Sequence, residues 1–231
     1  MDEYQPSVSA ERVEQLRRWH EDTSRSLHAL GPHDVEYLGL QLHVPEHVFP
    51  PTPVSDLLGR AVQAEVQPDH RVLDLGSGAG ANAILAAQVS GSVVAVDVNP
   101  HAVAATAANA ERNGVGDRVR CTVSDVFDGL EADEAFDLVV IDPPFRWFAP
   151  TDLLERAIAD EGYATLRRFT EQVAGRLQPG GAVLLFFGTS GDVAHLDRLI
   201  AAAGLASEVV AQRTQLVRGE ETTYAVRRLT A

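Results

Sequence analysis

The chain has 231 residues, 45% of them hydrophobic and 23% charged, the proportions of a folded globular domain with a sizeable core rather than a disordered chain. No apolar run approaches the ~18 residues of a membrane span, the acidic start MDEYQPS lacks the basic-then-apolar pattern of a secretory or transit leader, and the lone Cys121 has no partner for an internal disulfide, so a reducing, cytoplasmic setting is expected. Formal charge is −14, from 33 acidic and 19 basic residues, a balance that disfavours a polyanionic partner.

Residues 9–30 carry Ser9 as an N-cap, Val13, Leu16, Trp19, Leu27 and Leu30 near one stripe, and Gly31-Pro32 as a stop, which predicts a helix. Residues 35–49, VEYLGLQLHVPEHVF, alternate apolar and polar until Pro45 and predict a short hairpin or extended arm. FPPTP (49–53) reads as rigid and extended, because Pro fixes its own φ and biases its predecessor away from helix. A short helix over 54–67 follows.

From residue 70 the pattern becomes an alternation of strands and helices. The expected order is strand 71–75, helix 80–89, strand 92–98, helix 100–112, strand 118–124, a short irregular piece and strand 136–142. Helix 151–177, broken at Gly162, comes next, then a turn at 179–181, strand 182–188 and helix 192–203. Residues 206–229 read as two strands about Arg218-Gly219. Continuous apolar strands separated by helices predict an α/β fold, a Rossmann-like, doubly wound, mostly parallel seven-stranded sheet with helices on both faces. The helix-free final pair predicts an antiparallel C-terminal hairpin at one edge. Residues 1–53 would then be an N-terminal helix and arm, serving as a substrate lid or dimer contact, ahead of a main domain over 54–231.

Strand 71–75 runs into Asp74-Leu75-Gly76-Ser77-Gly78-Ala79-Gly80. Glycines at a strand-to-helix turn let a ligand approach the backbone, and the helix N-terminus offers free N–H groups. Gly76, Gly78 and Ala81 also fit the dinucleotide fingerprint G-x-G-x-x-G/A. Two carboxylates favour a different ligand. Asp74, two positions before the first glycine, would repel a pyrophosphate but suit a cationic amino-acid end. Asp97 ends the next strand, 21 residues after Gly76, where it can accept both hydroxyls of a ribose. A ligand with a ribose and a positive charge but no phosphate is S-adenosylmethionine.

VLDLGSGAGANAI followed by VVAVDVNPHAV resembles the first two motifs of class I S-adenosylmethionine-dependent methyltransferases, and the resemblance runs through residues 70–190 in order. It implies cofactor contacts at Asp74, Gly76, Ser77, Gly78 and Gly80 of the loop, and at Asp97, Val98 and Asn99 after the second strand. Asp125 and Val126 follow the third strand. Asp125 matches the position that holds the adenine amino group; its other reading is a turn Asp that caps the next helix.

The fourth strand ends in Asp142-Pro143-Pro144-Phe145. Ligands of open α/β sheets bind at the carboxyl ends of the strands, which puts this turn beside the glycine loop. Asp142 is an acceptor, and the Pro143 carbonyl is unclaimed by a following N–H because Pro144 has none. Together they can hold both hydrogens of an amino or amide NH2 and leave the nitrogen lone pair facing a sulfonium methyl. Phe145 offers a flat face to a planar amide or base, and the two prolines stiffen the turn, as positioning catalysis needs. The turn resembles the (Asn/Asp)-Pro-Pro-(Tyr/Phe) motif of methyltransferases acting on nitrogen. LGLQLHVPEHVFPPTP (38–53) is similar to the segment before the core in HemK-type glutamine methyltransferases, which modify peptide release factors; Phe49 and Thr52 of that arm would also touch the cofactor. That family usually has Asn and Tyr where this chain has Asp142 and Phe145, and a larger helical N-terminal domain than the 35 or so residues before the arm here.

Arg146 and Trp147 follow. Arg146 can pair with a substrate carboxylate and Trp147 can roof the acceptor pocket; the alternative is a surface Arg beside a hydrophobic anchor. The eight histidines show no metal-ligand spacing, so no metal is expected. Residues 125–161 hold 11 Asp or Glu against two Arg, which places −9 of the net −14 around the proposed acceptor site and argues against nucleic acid there. Four functions stay open: methyl transfer to an amide or amine nitrogen of a small metabolite or a protein glutamine, methyl transfer to a nucleic-acid amino group, another use of S-adenosylmethionine such as intramolecular cyclisation, and non-catalytic binding.

Overall fold

The computed structural model describes residues 4–231; residues 1–3, part of the start read above as no leader, lie outside it. The first helix, α1 (Ala10–His28), begins where Ser9 accepts from the Arg12 N–H at 3.2 Å, an N-cap satisfying one orphan donor of the first turn. Leu16, Trp19 and His20 form its buried side. Leu30, expected on that stripe, lies beyond the helix end and is 43% exposed.

Strands β1 (His33–Tyr37) and β2 (Leu40–Val44) make the hairpin of the arm, closed by Leu38 and Gly39 with positive φ, the backbone a two-residue hairpin loop requires. Helix α2 (Asp56–Glu65) follows. The alternating region gives β3 (Arg71–Leu75), α3 (Ala81–Ala87), β4 (Ser92–Asp97), α4 (Pro100–Arg112), β5 (Val119–Val123), β6 (Phe136–Ile141), α5 (Ala164–Val173), β7 (Leu177–Gly188) and α6 (Val193–Ala202). The edge hairpin is β8 (Ala206–Val217) with β9 (Glu220–Thr230).

The seven strands lie in the order β5-β4-β3-β6-β7-β9-β8. Pairs up to β6–β7 are parallel, whereas β9 is antiparallel to both neighbours. The inner strands β3, β4, β6 and β7 are apolar on both faces because helices cover both, which splits the interior into two large buried clusters. The chain reverses direction across the sheet between β3 and β6, a topological switch point.

Asn109 of α4 exchanges two hydrogen bonds with the backbone of His43, at 2.8 and 2.9 Å, and Asn113 does the same with Gln41 at 3.0 Å each. Two side-chain amides thus act as an extra strand that docks β2 onto the main domain. Among the described residues no helix is long and apolar enough to cross a membrane.

Two expectations are corrected. The helix over 151–177 is instead two short 3₁₀ turns, Glu155–Ala157 and Glu161–Tyr163, before α5. Gly162 and Tyr163 both take left-handed φ, and the Asp160 carboxylate accepts the N–H groups of Thr165 and Leu166 at 2.9 Å, so the true helix starts after them. The turn at 179–181 lies inside β7. Phe136 pairs with Leu177 and Leu138 with Ala182, so the extra residues bulge out of a strand that pairs on both sides. A Cβ at Gly181 would lie 2.8 Å from the Phe136 carbonyl oxygen, which is why the strand needs glycine there.

Candidate active site

A cavity of about 850 Å³ opens at the carboxyl ends of β3, β4 and β6, at the switch point. On one side its wall is the glycine loop, where Gly76, Gly78 and Gly80 all have positive φ. The N–H groups of Gly76 and Ser77 bond the Val96 carbonyl at 2.8 and 3.0 Å, which fixes the loop to β4. At Gly76 a Cβ would meet nothing within 4 Å, so the backbone there is open, whereas a Cβ at Gly80 would lie 3.0 Å from the Thr106 Cα. Gly76, Ser77 and Gly78 line the cavity; Gly80 instead seats the start of α3 against α4. The Ser77 hydroxyl meets the Thr106 hydroxyl at 3.0 Å, so this residue turns its backbone, not its side chain, to the loop ligand.

Asp97 lines the cavity at the end of β4. Its two oxygens accept the N–H groups of Gly78 at 3.0 Å and Asn99 at 2.8 Å, which orients the carboxylate. Burial pushes its pKa up while those donors pull it back. Val98 and Asn99 share the wall, with the Asn99 amide committed to the His101 N–H and the His47 carbonyl. Phe49 and Thr52 bring the arm over the same region, and the Phe49 carbonyl lies 3.5 Å from where a Gly78 Cβ would be.

Asp125 and Val126 close the far end. The Asp125 carboxylate meets Arg156 at 3.5 Å and Arg168 at 3.2 Å, and Arg168 also meets Asp128 at 3.0 Å, so the two carboxylates balance the two arginines, of which Arg156 borders the cavity. Val126 takes a left-handed φ of 54° and is buried; the Ser124 hydroxyl donates to its carbonyl at 2.8 Å and holds that conformation.

Asp74 does not reach the cavity wall. It is buried behind the glycine loop, accepts the Ala83 N–H at 3.0 Å and anchors the start of α3. Burial first, then the charge of Asp97, pushes its pKa up to about 7. Trp147 also misses the wall: its ring packs 5.8 Å from Tyr4, 5.3 Å from Phe148 and 6.0 Å from Tyr163 in the core. Of the two readings given for it, the anchor is the one its surroundings match.

The Asp142–Phe145 turn forms the opposite wall. Among the described residues no donor reaches the Asp142 carboxylate, and burial, then the charge of Asp74, pushes its pKa up to about 7. No backbone donor claims the Pro143 carbonyl. The turn itself is clamped. The Tyr163 hydroxyl donates to the Phe145 carbonyl at 2.7 Å and accepts the Asp192 N–H at 2.8 Å. The Phe145 ring lies 5.7, 5.0 and 6.2 Å from Phe186, Phe187 and Tyr224, and the Phe145 carbonyl sits where a Gly191 Cβ would need to be. Arg146 lines the cavity one residue further on.

Sequence reasoning missed His20, Tyr37, Ser190 and Tyr224, all on the cavity wall. His20 reaches it from α1, with its Nε2 3.1 Å from Glu155. These residues carry no motif; only the tertiary packing of α1, the arm, the turn after β7 and β9 brings them together.

The methyltransferase small domain family model matches residues 52–213. A release factor glutamine methyltransferase of Bordetella pertussis is 35% identical over 169 residues, 66% of this chain and 61% of that protein. A ribosomal protein uL3 glutamine methyltransferase of Neisseria meningitidis is 29% identical over 161 residues, 63% of this chain and 52% of that one. Among solved structures, a T. thermophilus 16S rRNA N2 methyltransferase in complex with AdoMet and guanosine superposes with a TM-score of 0.60 at 24% identity, over 84% of this chain and half of that one; the likeness is one of fold. This chain spans 57–67% of the length of the release factor methyltransferases it matches.

Proposed function

Because this chain belongs to the methyltransferase small domain family, class I S-adenosylmethionine-dependent methyltransferases of the HemK type, we propose that it transfers a methyl group from S-adenosylmethionine to an amide or amine nitrogen held in the Asp142–Phe145 turn. The observation that carries the reading is that turn: a rigid acceptor pair, Asp142 and the Pro143 carbonyl, faces the cavity with no protein donor satisfying it. A pair of acceptors without donors is complementary to an NH2 group.

The cavity fits the cofactor in its chemistry. Open backbone at Gly76 admits a ligand close to β3, the oriented Asp97 carboxylate suits two ribose hydroxyls, and Asp125 and Val126 offer an acceptor and an apolar face to a base. Bound there, S-adenosylmethionine supplies a methyl on a sulfonium, already a good leaving group. The protein therefore needs to position more than to activate. Asp142 and Pro143 would fix the two nitrogen hydrogens, and Phe145 would hold the planar group. As the nitrogen–methyl bond forms and the sulfur–methyl bond breaks, the surplus nitrogen proton leaves to Asp142 or to water. We take residues 1–53 as the cover of this site and 54–231 as the catalytic domain. The acceptors named for the relatives are protein glutamines, which have the same amide chemistry.

Calorimetry tests the reading directly. S-adenosylmethionine and S-adenosylhomocysteine are expected to bind with constants in the range of roughly micromolar, and nicotinamide dinucleotides not to bind, since Asp97 and its neighbours offer no cation to a pyrophosphate. The reverse preference would end the methyltransferase reading.

RNA and DNA are not expected as substrates. The two arginines at the base-binding end are paired with Asp125, and the surrounding segment carries −9. A filter-binding constant tighter than about a micromolar at physiological salt would contradict this.

A further inference from the structure

Resting on the methyl-transfer reading above, we infer that the acceptor is a small molecule of the amino-acid kind, with a carboxylate near the nitrogen that receives the methyl group, and that Arg146 holds that carboxylate.

The guanidinium of Arg146 borders the cavity four residues after Asp142. Its Nη1 donates to the Ser190 carbonyl at the end of β7, and its Nε is enclosed without any acceptor. Among the described residues no carboxylate lies within ion-pair distance of it. Burying a cation without a counter-ion is unfavourable, and burial first, with the positive charges of Arg12 and Arg218 beside it, pulls its pKa down to about 10. The neighbouring acids are committed elsewhere. Glu155 faces His20 and accepts from Thr151. Asp160 caps α5, and Asp125 holds Arg156 and Arg168.

The backbone that carries this side chain is also fixed in place. The Arg146 carbonyl accepts the Asp160 N–H at 2.8 Å, and its backbone bridges Ala159. A planar fork with unused donors, set rigidly beside a cavity, matches a carboxylate. Asp142 and Arg146 thus sit on one turn as an unpaired anion and an unpaired cation that do not satisfy each other. Their joint complement is a molecule with N–H donors at one point and a carboxylate a short way off. A glutamine within a protein chain supplies the first but has no carboxylate beside it.

S-adenosylmethionine ends in a carboxylate of the same chemistry, so the experiment separates the two. The protein is saturated with S-adenosylhomocysteine and titrated calorimetrically with each standard L-amino acid and with its carboxamide. At least one free amino acid is expected to bind, with its carboxamide about tenfold or more weaker. Arg146→Gln should abolish that preference, Arg146→Lys should keep part of it, and both should bind S-adenosylhomocysteine as the unaltered protein does. The inference is overturned if no free amino acid binds, if carboxamides bind equally well, or if Arg146→Gln weakens S-adenosylhomocysteine itself. Selective carboxylate binding by a protein that takes no S-adenosyl ligand would instead remove the methyl-transfer reading and leave the carboxylate site standing.

Discussion

Asp97→Ala is expected to weaken S-adenosylmethionine and S-adenosylhomocysteine alike, by roughly 1.5–3 kcal/mol or about 10- to 150-fold, because it removes charge-assisted hydrogen bonds to two ribose hydroxyls. Equal effects on the two ligands are the mark of a ribose contact, since they differ only at sulfur. The carboxylate also fastens the glycine loop, through the Gly78 N–H at 3.0 Å, and the turn into α4, through Asn99 at 2.8 Å. Asp97→Asn separates these parts. It keeps one acceptor oxygen but turns an NH2 toward a donor, so it should fall between the native protein and Asp97→Ala. Calorimetry with thermal unfolding measured on the same samples decides the matter. Unchanged affinity in Asp97→Ala would place the ribose elsewhere, and a lowered melting temperature with unchanged affinity would make the residue a loop fastener only.

The sheet was legible because its inner strands are apolar on both faces and the helix α4 between two of its strands carries recognisable end signals. Asn99 accepts the His101 N–H at 3.0 Å as the cap of α4, and that helix spans the expected residues. The region 151–177 was misread for a converse reason. Its apolar spacing is helical, but an Asp side chain and two left-handed residues decide locally against it, and left-handed Tyr163 is stabilised by contacts far off in sequence. Asp74 shows the limit of motif reasoning. Its place beside the glycines is right, but strand residues alternate sides, and its carboxylate points back to Ala83 rather than toward the ligand. The wall formed by His20 and Tyr224 depends on how α1 and β9 fold over the site, which no local spacing encodes.

Asp142→Ala is expected to lower turnover by about two to four powers of ten while leaving the fold and most cofactor affinity intact, the signature of a contact whose effect lies mainly in the transition state. The side chain is not needed for folding, since among the described residues nothing donates to it. Its pH dependence follows from its surroundings. Burial and the nearby Asp74 raise its pKa to about 7, so below that value the group is protonated and no longer a full acceptor. The kcat/KM should therefore rise with pH and level off above about 7. Asp74→Asn removes one of the two causes, keeps an acceptor for the Ala83 N–H, and should move that rise to lower pH. Asp142→Asn discriminates between the two roles open to this residue. Asn keeps an acceptor oxygen, so if Asp142 orients the nitrogen this variant should retain measurable turnover and lose the pH-dependent rise. If Asp142 must instead take the proton, Asn cannot, and the two variants should be equally inactive. Full activity in both would mean that the turn is structural and that the acceptor binds elsewhere.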